Sequence, residues 1–446
     1  MKDKLRKVFK NEYIFSILIK FITFALGIIQ SVLIARYLGA ELKGVNAYIS
    51  SIASVGSIVI TFGMHEAYPY FRKKFGKEAI YQDFVSLIMY LYAVLLLGAI
   101  LLAVFLPVSL ELRAVFVLIP LLGYSRIVGY VTLIETPNIR NAWWMVISII
   151  DIVYVALLWI FVERNIYWGI SLLLFADVLK CVVYTILLHT RPRFSSKIPK
   201  LFTELLKYGF FPMLALLMTT LNYRIDVLML RQYDTITDAM IGVYSLGISL
   251  SDKIVLIPDT LKGVLVSKLA KGAETEEVAK VCRLGLWASV VLCLLIFALG
   301  KPVIWLMYGA EYEGAYSVIL ITAVGILAVI FFKLIAQYNI VNKKQYLNVI
   351  LLSIAIVVDV VLNLIFIPLW GIQGAAFATS AGNVVCGIVF ILYFSRVSGI
   401  PVSKIVLLQK SDLRYARSLF GKKGKKADPK ESSAEEKPQT KSPSEP

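Results

Sequence analysis

The sequence predicts an all-α integral membrane protein with about twelve transmembrane helices. Of its 446 residues, 59% are hydrophobic and only 17% are charged, and the mean hydropathy is +0.78. A soluble protein of this length would carry about 25% charged and roughly 45–50% apolar residues. Apolar runs of about twenty residues recur along nearly the whole chain, and each is long enough to cross a bilayer as a helix.

The first apolar run is expected to stay in the mature protein as an anchor. It extends from Ile14 to Ala35, which is longer than the apolar core of a signal peptide, and no small-residue cleavage pattern follows it. With boundaries that can shift by about four residues, the predicted spans are 13–37, 44–66, 80–106, 112–134, 141–163, 167–189, 206–230, 240–262, 281–307, 315–340, 346–369 and 372–395.

Basic residues alternate between the predicted loops. Clusters of Lys and Arg precede the first span and follow the second, sixth, eighth and tenth spans. The intervening loops hold little beyond Lys43, Arg113, Arg164 and Arg231. Because cytoplasmic loops are enriched in Lys and Arg, both termini are predicted to be cytoplasmic, which also requires an even number of spans.

The chain is predicted to consist of two parallel repeats of six spans each. A weak internal similarity supports the division, since Arg36-Tyr37-Leu38-Gly39 before Gly44 resembles Arg231-Gln232-Tyr233 before Gly242. The predicted parts are a basic cytoplasmic N-terminus (1–12), an N-terminal six-helix bundle (13–189), a cytoplasmic linker (190–205), a C-terminal six-helix bundle (206–395), a basic juxtamembrane segment (396–420) that would lie on anionic lipid, and a disordered tail (421–446).

Several functional classes are excluded by what the sequence contains. The net charge of +17 resides mainly in alternate short loops, so it reflects membrane orientation and no nucleic-acid partner is expected. The four cysteines and two histidines show no metal-binding spacing. There is no phosphate-binding GxxxxGK[ST] loop and no set of nucleophile and base. We therefore expect neither an enzyme with catalytic residues nor a bound metal or cofactor.

The segment from Thr219 to Lys268 carries an unusual number of polar residues for a pair of membrane spans. Charged side chains at hydrocarbon depth are costly, so they usually face a bundle interior or a water-filled cavity. A structural ion pair between helices is the alternative for any single residue. For the group as a whole, a polar cavity between the two halves is predicted.

Four basic residues lie deep in predicted spans with no acid three or four positions away: Lys20, Arg126, Arg224 and Lys333. They are the candidate cations for binding an anionic substrate. Arg126 and Arg224 rank first because a guanidinium binds two phosphate oxygens at once. The corresponding acids without a local cation, which are candidate ion-coupling or cavity acids, are Asp151, Asp226, Asp252 and Asp359. Asp177 with Lys180, and Asp259 with Lys262, are spaced to form ion pairs within one helix.

Small polar residues form stripes on the second and eighth spans. The members of the predicted cavity stripe are Asn46, Ser50, Ser54, Ser57, Ser245 and Ser249. Such stripes often reflect close helix packing. Because the two spans are equivalent in the two halves, cavity lining is favoured here. Pro258 in the eighth span is expected to bend that helix or serve a rocking motion.

Over residues 10–395 the chain resembles polysaccharide flippases, the Wzx-like group of the multidrug/oligosaccharidyl-lipid/polysaccharide exporter (MOP) superfamily. The resemblance rests on Tyr223-Arg224-Ile225-Asp226, Gly242-Val243-Tyr244-Ser245, Pro258, and Arg36-Tyr37-Leu38-Gly39 with Gly44-Val45. It implies two six-helix bundles in a V, as in MATE transporters. It also implies transport of undecaprenyl-pyrophosphate-linked oligosaccharide (an O-antigen or capsule repeat unit) by alternating access across the bacterial cytoplasmic membrane. A polysaccharide polymerase and glycosyltransferases would be partners.

Two alternatives remain open at this point. The chain differs from peptidoglycan-precursor flippases, which carry two further C-terminal helices. A MATE-like drug or cation antiporter of the same fold would use Asp226 and Asp252 as proton or sodium sites. A scaffold that transports nothing would have a degenerate cavity.

Overall fold

Long α-helices make up most of the computed structural model, which describes residues 12–195, 198–270, 272, 274–342, 344–409 and 412. No β-strand occurs within these ranges, so the predicted all-α fold is confirmed. The predicted N-terminus and tail lie almost entirely outside them. The helices are α1 (Glu12–Thr61), α2 (Met64–Phe75), α3 (Lys77–Phe105), α4 (Leu110–Glu135), α5 (Pro137–Phe161), α6 (Ile166–Leu187), α7 (Ile198–Leu230), α8 (Asp238–Ser251), α9 (Leu256–Ala270), α10 (Thr275–Tyr308), α11 (Ala315–Val341), α12 (Gln345–Trp370), α13 (Ile372–Ser398) and α14 (Val402–Val406).

Eleven helical runs in the described residues are long and apolar enough to cross a membrane. The first, Ile22–Phe75, has 54 residues. At 1.5 Å per residue it is about 80 Å long, more than twice the roughly 30 Å hydrocarbon core. It therefore accounts for two of the predicted spans, and the chain is a multi-pass membrane protein.

The break between these two spans is a single residue. Gly39 has φ 70° and ψ 175°, which a residue with a side chain rarely adopts, and α1 continues on both sides of it. The sequence predicted a loop over 38–43, because a helix was not expected to resume immediately. In consequence Lys43, predicted to lie in a loop, is part of α1.

The eighth predicted span is divided into α8 and α9 by a short 3₁₀ turn, Asp252–Val255. Pro258 lies just beyond this turn. Its ring clashes with the carbonyl of Ile254, four residues earlier, and its nitrogen has no hydrogen to donate. The bend predicted from Pro258 is present, and it leaves Asp252 at the end of α8.

The helices group into an N half (α1–α6) and a C half (α7–α13), each with its own core. The loops fall at two ends. We call the end that carries the α6–α7 linker the basic end, and the end that carries Gly39 and the α10–α11 connection the far end. At the far end, Ala35 and Ala40 of α1 pack against Tyr308 and Tyr312 in a cluster that joins the halves.

At the far end the halves approach each other backbone to backbone. A Cβ on Gly44 would lie 1.8 Å from the carbonyl oxygen of Asp238, and one on Gly242 would lie 1.9 Å from that of Ala40. The internal similarity pairs Gly44 with Gly242, which also pairs Ala40 with Asp238. Equivalent residues of the two repeats thus exchange the same contact, as they do about a two-fold axis.

A second close approach lies nearer the basic end. A Cβ on Gly63 would be 2.2 Å from the carbonyl oxygen of Gly209, and one on Gly209 would be 2.1 Å from that of Phe62. Between these two approaches α7 follows α1 and α2, while α9 packs chiefly on α10 and α11 of its own half.

Part of the predicted juxtamembrane segment is described, and it packs on the C half. Ile405 of α14 is fully buried in the C-half core. Arg283 of α10 donates to both carboxylate oxygens of Asp412, at 2.8 and 3.1 Å. Burial raises the pKa of Asp412, but the hydrogen bonds from Arg283 outweigh it, so the pKa is lowered overall. The lipid contact predicted for residues 413–420 lies outside the described residues.

Substituting Gly44 with Ala should separate the halves at the far end. The added methyl group meets backbone atoms that cannot rotate away. We expect a loss of roughly 1–3 kcal/mol, the usual cost of overpacking. Thermal unfolding in detergent checks it. Gly98→Ala is the matched control, since nothing lies within 4 Å of its Cβ position, and an unchanged melting temperature for Gly44→Ala would contradict the contact.

Candidate functional site

Arg224 is a charged side chain in the middle of a membrane-length helix, and it is exposed. A guanidinium facing hydrocarbon costs several kcal/mol, so exposure at this depth indicates a water-filled space. Its electrostatic neighbours are Lys43 of the N half and Asp252 of the C half. Arg224 forms no ion pair with another described residue. It therefore faces the space between the halves, which we call the vestibule.

Lys43 is the vestibule residue that sequence reasoning missed. It lies in α1 one turn after the break at Gly39, is half-buried, and is close enough to Arg224 for the two charges to repel. It too has no carboxylate partner among the described residues. The signal was present, because only Gly39 in that stretch opposes a helix. Two cations, one from each half, thus come together without a described counter-ion.

Further charges from both halves continue toward the basic end. Lys253 lies 5.8 Å from the centre of the Phe24 ring of α1. Lys262 of α9 is an electrostatic neighbour of Glu66 of α2. These pairs join opposite halves, so the charges of the two bundles face each other. The side chain of the candidate cation Lys20, in α1, lies outside the described part of the chain.

Lys333 has an ion-pair partner that the sequence did not reveal. Its ammonium lies 3.0 and 3.1 Å from the two carboxylate oxygens of Asp259. The predicted pairing of Asp259 with Lys262 is therefore wrong. The lysine comes from α11 and the aspartate from α9, and pairing between helices cannot be read from spacing within one helix. Lys333 is thus a neutralised cation, unlike Arg224.

Two candidate acids, Asp226 of α7 and Asp359 of α12, meet in the interior of the C half. They are 1% and 2% exposed, and their charges interact. Tyr244 donates to Oδ2 of Asp226, and Thr379 donates to the same oxygen at 3.2 Å. Asn363 donates to Oδ1 of Asp359 at 3.1 Å.

Three oxygens of this cluster are buried and accept no hydrogen bond from the described residues: Oδ1 of Asp226, Oδ2 of Asp359 and Oδ1 of Asn363. Buried carboxylates without a partner are strongly unfavourable. A proton or a small hard cation, which prefers oxygen ligands, would neutralise them. We call Asp226, Asp359, Asn363 and Thr379 the acid cluster.

The side of Asp226 away from Asp359 borders a small cavity that also reaches Asp252. Its volume is about 20 Å³, enough for one water-sized particle, and Asn222, Thr379 and Asn383 also line it. Asp252 is in turn an electrostatic neighbour of Arg224 and Lys333. The acid cluster is therefore linked through polar groups to the vestibule.

Arg126 and Asp151 lie inside the N half. The Nη1 atom of Arg126 is buried without a described hydrogen-bond partner, and its electrostatic neighbours are Tyr92 and Asp177. Asp177 pairs with Lys180 at 2.8 Å, which confirms that prediction. Asp151 is a neighbour of the same lysine. The structure thus separates Arg126 from Arg224, which the sequence had grouped together.

The small polar residues bond largely within their own helices. Asn46 donates to the carbonyl oxygen of Gly169 in α6 at 2.8 Å, which joins two helices of the N half. Ser50, Ser57 and Ser245 each donate to a carbonyl oxygen of the same helix. Ser57 is fully buried. Ser54 and Ser249 are half-buried.

No family model and no curated protein matches the chain. Solved structures do. The lipid II flippase MurJ in an inward closed conformation has a TM-score of 0.70 at 17% identity, covering 92% of this chain and 93% of MurJ. The inward-facing conformation of a multidrug resistance MATE family transporter has 0.60 at 13%, covering 86% and 95%. A MOP superfamily transporter from Pyrococcus furiosus has 0.55 at 11%, covering 89% and 97%.

The chain has the fold of MOP superfamily transporters. The fold that the resemblance implied is therefore confirmed. The likeness concerns the fold alone, because all of these identities are below 20%.

A double-mutant cycle should reveal the pair of Lys333 and Asp259. Each single change to Ala removes the same attraction, so the two losses should not add. Because Asp259 is 47% exposed, we expect a coupling of about 0.5–1 kcal/mol in thermal unfolding. Lys262 with Asp259 is the control pair. Additive losses for Lys333 and Asp259 would disprove the pairing.

Proposed function

We propose that the protein is a flippase for lipid-linked oligosaccharide diphosphate in the bacterial cytoplasmic membrane. The observation that carries the proposal is the pair of Lys43 and Arg224, two cations from opposite halves with no described counter-ion. A diphosphate supplies the missing negative charge, and the guanidinium can bind two of its oxygens. The enrichment of Lys and Arg supports placing the basic end in the cytoplasm.

The proposed cycle is alternating access. The diphosphate and sugars enter the vestibule from the basic end, while the lipid tail remains in the membrane. Because one cation comes from each half, a bound diphosphate interacts with both halves at once. Its affinity then depends on how the halves are arranged, which is the condition for a ligand to shift a conformational equilibrium. Lys333 is held by Asp259, which leaves Arg224 and Lys43 as the principal anion ligands.

The likeness to a lipid II flippase supports a lipid-linked substrate. Assignment to polysaccharide repeat units rests on the resemblance of the sequence to the Wzx-like group. Under this proposal, glycosyltransferases supply the substrate on the cytoplasmic side and a polymerase consumes it on the other side.

Replacing Arg224 or Lys43 with Ala should abolish most export. Loss of one charge-assisted contact to the diphosphate corresponds to at least about a tenfold loss of transport. The measurements are surface polysaccharide and the amount of lipid-linked repeat unit that accumulates on the cytoplasmic side. Arg126→Ala, inside the N half, tests that candidate separately.

Arg113→Ala is the matched control, because this far-end arginine donates to Val108 of its own half. Normal export in both Arg224→Ala and Lys43→Ala, with wild-type protein levels, would overturn the assignment of the vestibule as the substrate site.

We further propose that the acid cluster couples transport to a monovalent cation, either a proton or sodium. Three buried oxygens without described partners support this role. Asp226 and Asp359 provide two negative charges for a cation to neutralise. Since Asp226 borders the small cavity that reaches Asp252, occupancy of the cluster can affect the neighbours of Arg224. The same cluster is the observation that favours the alternative, a cation antiporter for drugs.

Asp226→Asn and Asp359→Asn should each remove the dependence of transport on a cation gradient, because the carboxylate charge that attracts the cation is lost. The measurement is uptake into proteoliposomes with an imposed sodium or pH gradient. Asp177→Asn is the control, as this carboxylate is already paired with Lys180. Persistent gradient dependence in both cluster variants would contradict the coupling role. Export of cationic dyes, with no effect on surface glycan, would favour the antiporter.

A further inference from the structure

Arg36 extends from the N half and binds the last turn of a helix in the C half. Its Nε donates to the carbonyl oxygen of Met307 at 2.7 Å, and its Nη2 donates to that of Leu306. Both carbonyls belong to the end of α10, where no following turn supplies N–H partners.

The end of α10 shows why these two carbonyls need an external donor. The chain turns at Gly309, which has φ 103°, and the N–H of Gly309 bonds back to the carbonyls of Ile304 and Trp305. Leu306 and Met307 are the next two carbonyls, and Arg36 donates to them. A cation at a helix C-terminus is also favoured by the helix dipole.

The C half returns the same kind of contact. Glu311 accepts a hydrogen bond from the backbone N–H of Ala40 at 3.1 Å. Ala40 is the first residue of α1 after the break at Gly39, where helix N–H groups lack partners and an acid is favoured. Tyr312 donates to the carbonyl oxygen of Ala35 at 3.0 Å.

A third contact crosses in the opposite direction from that of Arg36. Arg231, which the internal similarity pairs with Arg36, belongs to the C half. It binds Glu111 of the N half at 3.3 Å and lies 5.4 Å from the centre of the Tyr48 ring. Each repeat thus contributes one arginine that contacts the other repeat at the far end.

We propose that Arg36 and Glu311 form a latch that holds the far end closed, and that the strength of this latch sets how often the far end opens. In each contact the partner is a backbone group at a helix end. Opening the far end breaks these bonds and leaves the helix ends of both halves to water. The latch rests on the alternating access proposed above. It makes Arg36 a gate residue and not a ligand of the substrate.

Accessibility of a buried thiol tests the latch in the absence of substrate. Ser51→Cys is the reporter, because Ser51 is fully buried two turns after Gly44 on the same face of α1. A membrane-impermeant maleimide is added to the far-end side of oriented membrane vesicles, and the labelling rate is measured. The four native cysteines are buried, and the chain without the reporter gives the background.

In the reporter background, Arg36→Ala should raise the labelling rate about tenfold, as expected from losing a charged cap at a helix end. Arg36→Lys, which keeps the charge but not the fork, should give an intermediate rate. Glu311→Gln should increase the rate further when combined with Arg36→Ala. Lys301→Ala is the matched control, because Lys301 pairs at 2.8 Å with Glu313 of the same half.

An Arg36→Ala protein that melts like its parent and labels at the parental rate would overturn the latch. So would an equal increase in Lys301→Ala, since that would show a general effect of charge. Because no substrate is present, failure of this test leaves the assignment of the substrate site intact. Conversely, loss of export in Arg224→Ala with unchanged labelling of the reporter would support both proposals independently.

Discussion

A charged side chain inside a membrane must find water or an opposite charge, and this constraint orders the whole molecule. The exposed guanidinium of Arg224 requires a wet space between the halves. The paired carboxylate of Asp259 and ammonium of Lys333 satisfy each other across two helices. Asp226 and Asp359 do neither, since they are buried together in the C half. Their environment is the least favourable among the described charges, and for that reason it is the most informative about function.

The two halves distribute their charges differently despite a shared architecture. In the N half, Arg126, Asp177, Lys180 and Asp151 are neighbours of one another, so their charges largely balance. In the C half, the acid cluster lacks a basic partner within ion-pair distance among the described residues. One repeat therefore resembles a neutral support, whereas the other carries an uncompensated negative charge. A cation that binds from one side of a membrane needs only one such site, which gives a physical reason for the asymmetry.

Composition and the recurrence of apolar runs were sufficient to predict the fold class, because bilayer thickness fixes helix length. Arg224 was also found from the sequence, since an unpaired arginine in an apolar run is conspicuous. Lys43 was missed because a glycine was taken to begin a loop, whereas a left-handed glycine can break a helix within one residue. The partner of Lys333 and the meeting of Asp226 with Asp359 depend on which helices become neighbours. Spacing within a single helix contains no information about that.

The facing glycines Gly44 and Gly242 have a consequence for how the two repeats can change over time. After a duplication, most positions in one copy can diverge if a compensating change occurs in the other. Glycine is the smallest residue, so no replacement at either position can make room for a larger partner opposite. This point of the duplicated chain is therefore expected to resist drift in both copies at once, even where the surrounding sequences no longer resemble each other.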